Sequence, residues 1–235
     1  MINSNQIIKE IKPKVLFFDV NETLLDLTKM QKQVGEALGG KDELLSLWFT
    51  TMLHYSLVTS ASGNYYPFGY IGAAALQMVA ANNNIIISEE NARKVIVNSM
   101  QNLPPHPEVK EALTLLKKEG YKLVAFTNSS KEGLKNQFEN AGLTAYFDEQ
   151  LSVEDTGKFK PFRNTYLWGA NKMNVKPKEC MLIAAHGWDV YGAMSAGFRA
   201  AFVARPGQQL FPLADKPELV ASNLKKIAEI LITYK

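Results

Sequence analysis

Cysteine is almost absent: Cys180 is the only one in 235 residues, so no disulfide can close within the chain. It lies beside the apolar run Met181-Leu182-Ile183, where a thiol packs as a small, inert hydrophobe. No stretch approaches the ~20 uninterrupted apolar residues of a membrane-spanning helix. The segment from Met1 to Pro13 is polar and lacks the apolar centre of a secretory signal. An excess of one charge is missing too. The 26 Lys and Arg are scattered among 23 Asp and Glu, a net of +3, which argues against a surface for nucleic acid or anionic membrane. These absences lead us to expect a cytoplasmic protein with neither a nucleic acid nor a membrane as its partner.

One region is short of cations. Between Gln33 and Ala92 the only Lys or Arg is Lys41. The same region is dense in aromatics: Trp48, Phe49, Tyr55, Tyr65, Tyr66, Phe68 and Tyr70. Apolar residues recur there at helical spacing, as in Leu44-Leu47-Trp48-Thr51-Met52-Tyr55 and Ile71-Ala74-Ala75-Met78-Val79. Most of these aromatics are expected to serve a helical core, while those from Tyr65 to Tyr70, in a loop punctuated by Gly and Pro, could instead face a ligand.

The remainder alternates. Buried strands are expected at Val15 to Phe18, Lys122 to Phe126, Gln150 to Val153, Met181 to Ala185 and Ala200 to Val203. Helical patterns run from Pro107 to Glu119, Lys131 to Ala141, Arg163 to Met173 and Val190 to Ala196, with a closing amphipathic helix from Leu219 to Leu231. Gly120, Gly142 and Gly197 stand where helices end. Strands alternating with helices imply right-handed crossovers and a parallel sheet covered on both faces. The pattern divides the chain into an α/β core, residues 1–27 and 104–235, and an all-helical insertion after the first strand, residues 28–103. The stretch Pro104-Pro105-His106-Pro107 is the stiff return.

Polar residues end the strands. Asp19 follows Val15-Leu16-Phe17-Phe18, and Thr127-Asn128-Ser129-Ser130 follows the second strand. Lys158 and Lys160-Pro161 lie beyond the third, and His186-Gly187-Trp188-Asp189 beyond the fourth. Each has an ordinary alternative. Asp19, Thr127, Ser129 or Asp189 would cap the next helix, and Lys160 would be a solvated loop cation. In a parallel sheet, however, all carboxyl ends share one edge, so the four segments can converge. Asp19 would then attack an electrophile and form a covalent ester or acyl phosphate. Lys160 would hold Asp19 ionised, Thr127 and Asn128 would donate to substrate or leaving group, and Asp189 would pair with Lys160 and position a water.

The segments FFDVNETLLDL, LVAFTNSS, KFKPFRNTY and AAHGWDVYGAMSAGF resemble the four motifs of the haloacid dehalogenase superfamily, in order. Lys160-Pro161 followed by Tyr166, and Trp188-Asp189-Val190 before Gly192-Ala193, are most similar to its L-2-haloacid dehalogenases. The resemblance implies a Rossmann-like core with a helical cap inserted after the first strand. It implies catalysis by Asp19, Lys160, Asp189 and Thr127, and a substrate surrounded by Val20, Asn21, Thr23, Asn128, Phe49, His186, Trp188 and Tyr166. It allows a homodimer through the cap or an exposed helix.

The departures narrow the chemistry. Phosphatases of the superfamily carry a second Asp two residues after the nucleophile and a magnesium-binding Asp in the fourth motif; here those positions are Asn21 and Ala185. A hard cation is short of oxygens there, so no metal or other cofactor is expected, and magnesium would enter only for a phosphatase. The dehalogenases carry a cap arginine after a Trp; here Phe49 follows Trp48. A substrate carboxylate thereby loses a charged partner worth about 1.5–3 kcal/mol. His54, or Asn128 with backbone amides, are candidate substitutes, and His186 could orient Asp189 or take a proton from the hydrolytic water. A magnesium-dependent phosphatase and a non-catalytic binding protein stand as alternatives to a metal-independent dehalogenase.

Overall fold

The computed structural model describes residues 11–235, so most of the polar segment at residues 1–13 lies outside the described residues. β1 (Val15–Phe18) is buried throughout and pairs in parallel on both sides, with β2 (Lys122–Thr127) and β4 (Cys180–Ala184). A strand with two neighbours and two covered faces has no solvent side, which is why VLFF is apolar without alternation. β3 (Glu149–Ser152), β5 (Arg199–Val203) and β6 (Leu219–Ala221) complete a six-stranded parallel sheet in the order β3-β2-β1-β4-β5-β6. The chain builds outward from β1 in one direction through β2 and β3, and in the other through β4, β5 and β6. Such a reversal opens a crevice at the carboxyl ends of the central strands. Asp19 is the residue that leaves β1 at that point.

The helices around the sheet are α5 (Val109–Lys118), α6 (Lys131–Ala141), α7 (Arg163–Lys172), α8 (Gly187–Ser195) and α9 (Leu224–Leu231). Before them, between β1 and α5, come α1 (Thr28–Ala37), α2 (Leu45–Ala61), α3 (Phe68–Asn82) and α4 (Glu89–Gln101). This all-helical insertion has its own packing. The Trp48 indole N–H donates to the Gly72 carbonyl at 2.9 Å. A Cβ on Gly72 would lie 3.0 Å from Met52 and 3.1 Å from Ile96, so α3 rests directly on α2 and α4. The outgoing and returning connections run side by side. The Asp26 N–H donates to the Pro104 carbonyl at 2.8 Å and the His106 N–H to the Leu24 carbonyl at 2.9 Å.

Several local expectations shift. The stretch read as the start of the closing helix at Leu219 is instead β6, and α9 begins at Leu224 with Asn223 accepting from the Lys226 N–H at 3.0 Å. Edge strands are short and half exposed, so their apolar pattern is too brief to register. α8 begins at Gly187, which puts Asp189 inside its first turn rather than at its cap. Asp19 is not a cap either, since α1 starts at Thr28. Ser130, not Thr127 or Ser129, caps α6 by accepting from the Gly133 N–H at 3.1 Å. His54 is exposed on the outer side of α2, against Tyr55. The expected loop from Tyr65 to Tyr70 ends at Pro67, because Phe68 and Tyr70 already belong to α3; Tyr66 and Tyr70 are exposed, whereas Tyr65 stacks on Phe159.

Candidate active site

Asp19 is only 5% exposed and both its oxygens are engaged. Lys160 Nζ donates to Oδ1 at 2.9 Å, and Thr23 Oγ1 donates to Oδ2 at 2.7 Å. Thr23 in turn accepts the Ala185 N–H at 2.9 Å, so the end of β4 fixes the hydroxyl that fixes the carboxylate. His186 Nδ1 lies 3.2 Å from Oδ2.

Lys160 is fully buried, an expensive place for an ammonium unless every proton is matched. All three are: they go to Asp19, to Asp189 Oδ2 at 2.5 Å and to the Phe126 carbonyl at 2.9 Å. Asn128 holds its backbone, accepting the Lys160 N–H at 2.9 Å and donating to the Lys160 carbonyl at 3.4 Å. Asp189 is completed by the Tyr166 hydroxyl, which donates to Oδ1 at 2.6 Å. Tyr166 reaches it because α7 and α8 lie close. A Cβ on Gly192 would come within 2.6 Å of that hydroxyl and 2.4 Å of Pro161.

The electrostatics follow from these contacts. Burial alone would raise the Asp19 carboxyl, but Lys160 and His186 hold it well below the usual carboxylate range. Burial would lower the Lys160 ammonium, yet Asp189 and Asp19 carry it above its ordinary value. Burial, joined by the charge on Asp19, raises Asp189 against the pull of Lys160. Burial and Asp189 push the Tyr166 phenol far up, so it remains a donor. The result is an ionised, dehydrated carboxylate beside a permanent cation, the state a nucleophilic aspartate needs.

The residues expected around a substrate divide. His186 sits between aromatic faces, stacked on Phe49 at 5.9 Å and on Trp188 at 5.3 Å between ring centres. Phe49, which stands in place of the cap arginine, therefore lies against His186. Thr127 is buried and accepts the Ser129 N–H at 3.1 Å. Val20 is buried, its carbonyl accepting from Leu24 and Leu25. Asn21 turns away from Asp19: its amide donates to Ser129 Oγ at 3.2 Å and accepts from Gln137 at 2.8 Å. Gln137 also reaches the Met100 carbonyl at 3.0 Å, tying α6 to α4. Lys158 lies over the Phe162 ring instead of at the carboxylates.

Glu22 is the residue that sequence reasoning passed over. Its carboxylate lies 2.9 Å from His186 Nε2. Its side chain also lines a cleft of about 200 Å³ between α1, α2 and the turn after β1, with Trp48, Phe49 and Gln208. Glu22 and Phe49 both touch His186, so this cleft leads toward Asp19. A larger groove, about 310 Å³, runs between α3, α4 and α6 past Ser129 and Gln137. It meets Asn21 only through those two residues, and the cleft is the better approach to the nucleophile. Nothing in one sequence marks Glu22, because its importance comes from a contact with residue 186.

Among the described residues no group of three or more His, Cys, Asp or Glu is arranged to hold a metal ion. The donor set agrees: Asn21 is committed elsewhere, Ala185 has no oxygen to offer, and Lys160 occupies Asp19 Oδ1. The magnesium site of a phosphatase does not fit these residues.

An ionised aspartate at the switch point of a parallel sheet, a buried lysine bridging it to a second aspartate and a helical insertion above them define a class of hydrolase. The family model of haloacid dehalogenase-like hydrolases matches residues 13–197, and the chain belongs to that family. Within it, the chain is 26% identical to (S)-2-haloacid dehalogenase 2 of Pseudomonas sp. (strain CBS-3), over 91% of this chain and 93% of that protein. It is 28% identical to the (S)-2-haloacid dehalogenase of Xanthobacter autotrophicus, over 83% of this chain and 77% of that one. The solved structure of L-2-haloacid dehalogenase from Xanthobacter autotrophicus superimposes with a TM-score of 0.83 at 25% identity, covering 93% of this chain and 98% of that chain.

Proposed function

We propose that this enzyme hydrolyses a carbon–halogen bond of a small 2-haloacid, or of a closely related electrophile, without metal and through an ester on Asp19. The observation that carries the proposal is the buried bridge Asp19–Lys160–Asp189, in which a side-chain cation keeps the Asp19 carboxylate ionised. An Asp19 oxygen attacks the carbon bearing the halogen, and the halide departs with the bonding electrons. Halide needs no proton to leave, which suits a site where Asn21 supplies no acid. Water then attacks the Asp19 carbonyl carbon, and the hydroxy acid leaves as the carboxylate is restored.

In this proposal Lys160 balances the charge that Asp19 gains and loses, and Asp189 with Tyr166 keeps Lys160 in place. Thr23 and the Ala185 N–H aim the nucleophile. Asn128 acts through the Lys160 backbone. Phe49 and Trp188 form an apolar wall, and the buried Trp188 indole N–H, which has no protein partner, is available to the halide or to a substrate oxygen. Thr127 contributes its hydroxyl, and Val20 and Asn21 shape the turn beneath the substrate. In the same proposal residues 28–103 act as the cap over residues 1–27 and 104–235, in a cytoplasmic protein.

Haloacetate, the two 2-chloropropionate enantiomers and p-nitrophenyl phosphate, each with and without chelator, test the proposal together. We expect halide release from one chloropropionate enantiomer, unaffected by chelator. One turnover in heavy-oxygen water should label Asp19. Phosphate release that chelator abolishes, or turnover that leaves Asp19 unlabelled, would refute it.

A further inference from the structure

We propose that His186 is the general base that hydrolyses the Asp19 ester, and that Glu22 is the residue that positions it. The inference rests on the ester chemistry proposed above. His186 lies between two carboxylates, with Nδ1 3.2 Å from Asp19 Oδ2 and Nε2 2.9 Å from Glu22 Oε2. Phe49 and Trp188 stack on it at interplanar angles of 20° and 25°, which restrains the ring from turning its nitrogens off that line. Asp189 is a poor base by comparison, since it is fully buried and Lys160 and Tyr166 take its two oxygens.

The backbone of Glu22 points the same way. Its φ is +64°, a left-handed conformation that a residue with a long side chain rarely adopts. Such a conformation persists only where the surroundings enforce it. His106 Nε2 meets the Glu22 carbonyl at 2.9 Å, Arg205 donates to the Thr23 carbonyl at 2.9 Å and Gln208 donates to Glu22 Oε1 at 3.0 Å. The turn is thus braced on three sides, and the outcome of the bracing is a carboxylate aimed at His186.

The charged groups facing His186 are Asp19 and Glu22; α2 and α8 present the neutral Phe49 and Trp188. Burial disfavours the imidazolium, but the two carboxylates raise it to about 9, so the resting site holds a cation at neutral pH. That cation is stacked on Phe49, the residue that follows Trp48 in place of a cap arginine. Alkylation of Asp19 removes one of the two anions, and the imidazolium then gives its proton to solvent. Neutral His186 takes a proton from the attacking water as the oxygen–carbon bond forms at Asp19 Cγ. It returns that proton to the departing alkoxide as the ester bond breaks. The carboxylic acid left on Asp19 finally protonates His186, which restores the starting ions. One proton is released per turnover, as haloacid hydrolysis requires.

The test is rapid mixing of the full-length protein with (S)-2-chloropropionate, following chloride release and the mass of the intact chain. Wild type should release chloride continuously. His186→Asn should release one equivalent and stall as the alkylated protein. Glu22→Gly, where glycine accepts the observed φ, should fold, release its first equivalent and hydrolyse the ester at least tenfold more slowly. The pH dependence of its second step should move down toward the ordinary imidazole range, and Glu22→Asp should recover part of the rate. Unchanged ester hydrolysis with an unchanged pH profile in Glu22→Gly would overturn the proposal, as would continuous turnover by His186→Asn. Failure of wild type to be alkylated by this probe or by haloacetate would remove the dehalogenase chemistry itself, and the base with it.

Discussion

Replacing Lys160 by Met removes an ammonium while keeping most of the side chain's length. In the folded protein the ammonium meets Asp19, Asp189 and the Phe126 carbonyl, and all three residues are buried. Asp19 retains Thr23 and His186, whereas Asp189 retains only Tyr166. Stranding one partner of a buried ion pair costs about 3–5 kcal/mol, a large share of the roughly 5–15 kcal/mol that holds a domain together. For a chain of this size the melting temperature at pH 7 should fall by about 6–20 °C. The pH dependence gives the sharper result. Without Lys160 the folded-state pKa of Asp189 lies well above its unfolded value. Stability referred to that group is then greatest below the unfolded pKa and is lost as pH rises through the folded pKa. The variant should therefore recover toward wild type on mild acidification, and Lys160→Met/Asp189→Asn should recover part of the loss at pH 7. Thermal and urea melts between pH 5 and pH 8 measure this. A loss below about 1 kcal/mol, within the range of an exposed pair, or a gap that does not close in acid, would refute the buried bridge.

Three further outcomes follow from other contacts. The His186 pKa rises from 6.5 to about 9 on folding, so its stabilisation is complete below pH 6.5 and fades as pH rises through 9. Melts of wild type against His186→Asn should show the difference shrinking across that window, while Asp19, held low, contributes above its unfolded value and loses its contribution only in strong acid. Thr23→Val breaks the Ala185–Thr23–Asp19 chain and leaves a buried N–H without its acceptor. We expect about 1–3 kcal/mol of destabilisation in urea melts and slower alkylation of Asp19 in single-turnover mass measurements. Cys180 is buried at the start of β4 and its thiol is pushed up to about 12, first by burial and then by Glu179. A chromogenic disulfide reagent should leave it unmodified in the native protein at pH 8 and modify it fully in urea.

The parallel sheet was legible because its strands are covered on both faces and must be apolar throughout, a pattern visible in VLFF and LVAF. The helical insertion was legible from its spacing, and the family from four short segments in order. β6 was not, because Leu219–Ala221 is three residues at a half-exposed edge. The first turn of α8 was not, because Gly187 and Trp188 read as loop until their packing is known.

The site divides along similar lines. The strand ends named Asp19, Lys160 and Asp189, since strands hydrogen-bonded in parallel register must bring their carboxyl ends to one edge. What those side chains hold was decided by the tertiary structure. Asn128 fastens the Lys160 backbone and Asn21 joins Ser129 and Gln137, although as residue types both are equally suited to a ligand. Phe49 in place of a cation looked like a loss until its ring was found against His186, whose other contacts are Asp19 and Glu22. Strand patterns are local and periodic, so the chain itself specifies which residues reach the crevice. Pairing between a left-handed turn at Glu22 and a helix start at His186 depends on side-chain reach across the fold, and no spacing within the sequence records it.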